Sequence, residues 1–361
     1  MLLLTLDNAT NNGIMVARLT VLENSFIGRV YQVRCFAHVI NLVAMTVLCQ
    51  FDSGCKRDSA ACDENDVDRA VKLLGELAVE LDLEGVRDGK EVEVKDDING
   101  WINEQEDLSE EERKELWESM LSVKLMLAKL QKLSFSIIHS STKVLPLWRR
   151  LLKSLKLVVR NMPRDIATRW NSMFTMLSFA LKYQKVVDKL TGDREADLWN
   201  LKVDDDEWEL VQQLHNVLQI FHDATTFVSR EDSPALPTVI PTMDLMDEVL
   251  TDTSLNEKYA PSIHVACAMG KKTLNRYYDK TDDLNAYHIA MILHPEHKLE
   301  YFKTAKWQPE WIKTAKTVLR DEYERRFTKY DREAAELAIV ETGVPQPVTS
   351  QNMFDNIPAL Q

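Results

Sequence analysis

Three places in the 361-residue chain combine residue types that could do chemistry. The first is Asp7, which ends the apolar run Leu2-Leu3-Leu4-Thr5-Leu6 and precedes a turn-rich stretch over 8–13. A carboxylate at the C-terminal tip of a buried sheet strand faces the crevice where α/β proteins place their ligands. Mg²⁺ is commonly held there by one or two such carboxylates together with substrate phosphates. One carboxylate is not a metal site, and an Asp in this position equally caps the next helix or closes a turn. The second place is Cys35-Phe36-Ala37-His38, which puts a thiol and an imidazole on one face of a starting helix. Zinc would need two further ligands, and Cys49, Cys55 and Cys62 form no second pair at ligand spacing, so an ordinary buried thiol is the competing reading. The third is Arg169-Trp170 within "MPRDIATRWNSMFTML" (162–177). An exposed Trp beside an Arg can stack on an unpaired base while the guanidinium holds a phosphate. The spacing of Trp170 with Met173, Met176, Leu177 and Leu181 instead favours a place in a helical core.

The charge distribution bears on the third place. The net charge is −13, but residues 58–118 alone hold 22 acidic against 7 basic side chains. The span 143–170 is the reverse: Lys143, Arg149, Arg150, Lys153, Lys156, Arg160, Arg164 and Arg169 stand against Asp165 alone. A basic strip of this kind binds phosphates by releasing counterions, whereas an acidic segment is repelled by them. A solvated surface with no ligand is the bland alternative.

The elements that must position these groups follow from periodicity. Residues 1–50 read as strand, helix, strand, helix, with the second strand over 29–34 and the second helix from Phe36. Residues 51–108 form an acidic, partly disordered connector with one short amphipathic helix over 67–81. Ser109 followed by Glu112 is a capping-box pattern opening a helix on which Leu116, Met120, Val123, Leu127, Leu130 and Leu133 recur, and further helices are predicted over 145–159, 172–191, 206–228, 238–250, 262–278 and 309–339. The stretch 286–293 is compatible with strand or helix, and the tail 342–361 reads as disordered. The predicted class is therefore an α/β fragment joined to a large all-α part spanning 109–341.

Several classes are excluded or disfavoured. The apolar stretch 36–49 contains His38, Asn41 and Thr46 and is too short to span a bilayer, and the N-terminus has no signal-peptide pattern. Five irregularly spaced cysteines point to a reducing compartment. There is no Gly-x-Ser-x-Gly elbow, no P-loop and no dinucleotide fingerprint.

Five stretches together resemble the hAT (hobo/Activator-type) transposase family, most closely its fungal members: "TLDNATNNGIM" (5–15), "RCFAHVINLVA" (34–44), "DIATRWNSMFTML" (165–177), the span 259–302 and "WQPEWIKTAKTVL" (307–319). The resemblance implies a ribonuclease-H-like core interrupted by a helical insertion domain, the latter followed by a return toward the core. It implies a nuclear protein that works on DNA, with oligomerisation through a segment this chain lacks. In that family two Mg²⁺ (or Mn²⁺) ions held by Asp, Asp and Glu cut and join DNA. Asp7 matches the second of these acids and Cys35/His38 a Cys-x-x-His motif beside the active site. Trp170, with Arg169 as its companion, matches an insertion-domain Trp that stacks on a flipped base.

The chain departs from the family pattern in ways that shape the expectation. The strand carrying the first Asp would precede Met1, and the expected Glu-bearing segment is not found before Gln361. A chain with one carboxylate of three is expected neither to hold the metals tightly nor to cut DNA. Two readings follow: a transposase fragment truncated at both ends that retains DNA affinity through 143–170, or a host-recruited, non-catalytic DNA- or protein-binding derivative. A non-functional relic with an exposed sheet edge is a third.

Overall fold

The computed structural model describes residues 4–6, 10–22, 32–51, 66–83, 109–166, 170–230, 234–282 and 284–327. The chain begins β1 (Leu4–Leu6), α1 (Thr10–Leu22), β2 (Gln32–Arg34) and α2 (Phe36–Cys49), and then continues through helices. These are α3 (Asp66–Leu83), α4 (Glu110–His139), α5 (Val144–Ser154), α6 (Trp170–Lys182), α7 (Gln184–Thr191), α8 (Asp205–Val228), α9 (Val239–Leu255), α10 (Pro261–Asp282), α11 (Asn285–Leu293), α12 (Glu300–Thr304) and α13 (Pro309–Phe327). The protein is mostly helical, and no helix among the described residues is long and apolar enough to cross a membrane.

The chain divides into two compact units. One comprises Met1–Ile40, Asp223–Asp247 and Leu274–Gln361. Its strands β1 and β2 are parallel, with Leu4 opposite Gln32 and Leu6 opposite Arg34, and the Cys35 N–H extends the ladder to the Leu6 carbonyl at 2.8 Å. A parallel pair needs a crossover, and α1 supplies it, packing Val16 against Leu4, Leu6 and Leu19. β1 is less buried than its leucine run suggests: Leu4 and Leu6 are half-buried and Thr5 is exposed. Within this unit the stretch that was ambiguous from the sequence is helix α11, which packs on α13. Asp244 fixes α9 by accepting the Tyr278 hydroxyl at 2.8 Å and the Tyr301 hydroxyl at 2.6 Å. Trp307 and Trp311 meet edge to face at 5.8 Å, and Trp311 is exposed.

The other unit comprises Asn41–His222 and Glu248–Thr273. α4 is its spine: Leu116, Met120, Val123, Leu127, Leu130 and Leu133, the residues whose recurrence predicts the helix, are all buried. α3, α5 and the turn Trp199–Leu201 pack on it. The N-terminus of α10 docks on α4 where the Ser119 hydroxyl donates to Ser262 Oγ at 2.8 Å and accepts the Ser262 N–H at 3.1 Å.

α10 lies close to α2 at Gly270. A Cβ built there would lie 2.7 Å from Val47 Cγ2, which is branched and fully buried. Gly270→Ala is expected to destabilise by about 1–2 kcal/mol, because overpacking outweighs the helix propensity gained. Thermal unfolding checks this, and adding Val47→Ala should return part of the loss.

The helices predicted over 238–250 and 262–278 run on to Leu255 and Asp282, and two departures from the periodicity bear on the basic span. α5 stops at Ser154, not Val159, because the Leu157 N–H turns back to the Leu152 carbonyl and Lys156 N–H to that of Lys153. That is a Schellman ending with Lys156 at φ 56, a position usually given to glycine. Residues 157–166 are then extended rather than helical. The helix predicted over 172–191 is two helices, broken at Tyr183.

Candidate nucleic-acid interface

The basic strip is built on α5 and the extended segment that follows. α5 buries Val144, Leu147, Trp148 and Leu152, so Arg149, Arg150 and Lys153 fall on its exposed side. Lys143 before the helix and Lys156, Arg160 and Arg164 after it are also exposed. Seven basic side chains therefore stand in solvent along 143–164. Among them Arg150 meets Glu195 only at 3.9 Å, with both side chains largely exposed, a pairing that salt or a phosphate displaces at little cost.

The extended segment is tethered through its carbonyls. The Trp148 indole N–H donates to Arg160 O at 2.8 Å, and the Ser134 hydroxyl to Pro163 O at 2.8 Å. The Asp165 carboxylate accepts from Gln131 at 2.8 Å and from the Ser172 hydroxyl at 2.7 Å. Asp165, the single acid of the strip, thus serves as an anchor to α4 and α6. The segment thus carries exposed Arg160 and Arg164 on a chain tied by hydrogen bonds to α4, α5 and α6.

The other sequence candidates are placed differently. Trp170 is 3% exposed and meets the Phe221 ring edge to face at 6.1 Å. The structure puts it in the core with Met173, Phe174 and Leu177, as its spacing favours, and not on the surface that the resemblance implies. A base cannot stack on an indole so placed unless α6 first uncovers it. Asp7 and Arg169 lie outside the described residues. Cys35 and His38 belong to the strand-bearing unit; the Cys35 carbonyl accepts the His38 N–H at 3.1 Å, and both residues are half-buried. Beside them Tyr287, next to Arg34, is pushed up to about 12 by burial. Among the described residues no three His, Cys, Asp or Glu side chains converge to hold a metal ion.

Sequence reasoning missed the tether residues Gln131, Ser134 and Ser172. The signal available was weak, since an exposed extended segment looks in sequence like a continuation of α5.

Comparison with known proteins locates this unit in a family. Residues 33–217, half of the chain, match the ZBED1 RNase-like helical domain. A stretch of 185 residues is 28% identical to tpeD of Talaromyces stipitatus, whose name proposes a transcriptional regulator. That match takes in 50% of this chain but only 20% of tpeD, so the chain spans a small part of that relative's length. No solved structure matches the chain. The residues that build the α4 spine, α5 and the basic segment all lie inside 33–217, and the chain belongs to the ZBED1 RNase-like helical domain family.

Proposed function

We propose that this chain is the helical part of a hAT-type, transposase-derived nuclear protein that binds DNA without cutting it. The observation that carries the reading is the tethered line of exposed cations along 143–164. The family description and the regulator name of tpeD support the same direction. Arg149, Arg150 and Lys153 present three charges on one helix face, and Lys156, Arg160 and Arg164 continue them along an extended backbone. Such an array contacts phosphates rather than base edges, so it fixes the protein on a duplex without reading its sequence. Function as a regulator then requires sequence selection from elsewhere or a partner that supplies it.

The test is a salt titration. Duplex affinity is expected to fall steeply between about 50 and 200 mM salt, because each phosphate contact releases a counterion. Arg149→Gln with Arg150→Gln removes two contacts, so the slope of log K against log salt should become shallower by about 2. Absence of binding at low salt, or a slope unchanged in the double variant, overturns the reading.

A further inference from the structure

The segment 157–166 brings Arg164 to an aromatic stack that the strip itself does not need. On α4 the rings of Phe135 and His139 stack at 4.0 Å with 23° between their planes. The Arg164 guanidinium lies 5.7 Å from the Phe135 centroid, and the Lys132 ammonium lies 5.8 Å from it. His139 is exposed, Phe135 and Lys132 are half-buried, and Arg164 is exposed.

The position of Arg164 is not incidental. The residues on either side of it are both held by α4: Pro163 by its carbonyl on the Ser134 hydroxyl, Asp165 by its carboxylate on the Gln131 amide. Ser134 and Gln131 immediately precede and closely flank Phe135 in sequence. Two tethers, one on each side, thus hold a cation against a partly exposed aromatic pair. An aromatic face open to water and bracketed by cations is the arrangement that accepts an unpaired nucleotide: the base stacks, and the flanking phosphates meet the charges. A duplex offers no free base face, so only the cations would engage it.

We propose that His139, backed by Phe135, over whose ring Lys132 and Arg164 lie, is a stacking platform for an unpaired base of a DNA strand. It rests on the DNA-binding reading and adds a preference for single-stranded or distorted DNA to it. The platform is distinct from Trp170, which is buried.

The test compares fluorescence anisotropy of a labelled single-stranded oligonucleotide with that of the blunt duplex containing it. His139→Ala is expected to weaken single-strand binding by about tenfold and leave duplex binding within about twofold. His139→Phe, which keeps a stacking face and removes the imidazole, should retain single-strand affinity. Arg164→Gln should weaken both forms, since it removes a phosphate contact common to them. If His139→Ala changes neither form, or both equally, the platform is overturned while phosphate binding by the strip stands. If the unmodified chain binds no DNA at low salt, both readings fall together. His139 lies at the solvent-facing end of α4, so these variants should unfold at the temperature of the unmodified chain, which a thermal melt verifies.

Discussion

Lys129→Met is expected to lower the unfolding free energy by about 3–5 kcal/mol, because it leaves a carboxylate buried without its counter-charge. Lys129 sits on the buried stripe of α4, and its ammonium donates to both Glu207 oxygens, at 2.6 and 2.8 Å, and to the Lys202 carbonyl at 3.1 Å. Both side chains are about nine-tenths buried. Glu207 is also half of a reciprocal cap at the start of α8: its carboxylate accepts the Asp204 N–H at 3.0 Å, and its own N–H donates to Asp204 Oδ1 at 2.8 Å. The pair therefore joins the spine to the entry of α8. Urea unfolding of the single variant and of Lys129→Met with Glu207→Leu separates the two costs. The double variant removes both charges and should recover more than half of the loss, the remainder being the cap, worth about 1 kcal/mol. A double variant no more stable than the single one would show that the uncompensated charge is not the cause.

The same pair gives a pH signature with a definite sign. Burial raises the Glu207 carboxyl above the usual carboxylate range, and Lys129 opposes that rise. A carboxyl raised in the folded state takes up its proton there before it does in the unfolded chain. Its contribution to stability is thus present at acid pH and lost as pH rises through the folded value. Removing Lys129 raises that value further and widens the window. The deficit of Lys129→Met should therefore shrink as pH falls from about 7 toward 5, whereas a packing defect alone would leave it constant.

Much of this helical frame was legible because its helices are amphipathic. The recurrence of Leu116, Met120, Val123, Leu127, Leu130 and Leu133 sufficed for α4, and the same period placed α8 within a residue of its observed start. What escaped was decided by backbone turns and tertiary tethers. Leu157, Val158 and Val159 extend the apolar period of α5, yet Val158 and Val159 are exposed, because a lysine in the left-handed conformation has already ended the helix. Lys306, at φ 57, ends α12 in the same way, with the Trp307 N–H returning to the Phe302 carbonyl. Lysine at such a position carries no warning in sequence, where glycine or asparagine would have. The candidate site was legible as charge and not as geometry: the basic residues of 143–164 announce themselves, but Gln131, Ser134, Ser172 and Trp148, which give them a fixed line, look like ordinary helix residues. Trp170 shows the converse, since its spacing pointed to the core in which it lies.

Trp148 is where the core and the basic segment meet, and substitutions there should separate stability from function. Its side chain is fully buried, tilted against Phe179 at 6.2 Å and Tyr183 at 6.5 Å between ring centroids. Its N–H holds the Arg160 carbonyl. Trp148→Ala removes both roles and should cost about 3–5 kcal/mol in urea unfolding, as large-to-small changes of buried aromatics do. Trp148→Phe keeps most of the apolar contact and deletes the donor, for about 1–2 kcal/mol. The second variant is the informative one. With the Arg160 carbonyl released, the segment keeps its charge but loses one point of its line, so trypsin should cut after Arg160 faster than in the unmodified chain under conditions where both are folded. Duplex affinity should fall as well, although no basic residue has changed, because cations on a loosened backbone must be ordered when they bind. Global destabilisation alone predicts a different pattern, in which trypsin sites across the whole unit open in proportion to the lost stability. If Trp148→Phe loses stability but neither exposes Arg160 selectively nor weakens duplex binding, the tether does not set the geometry of the strip, and its charges act as a flexible cloud.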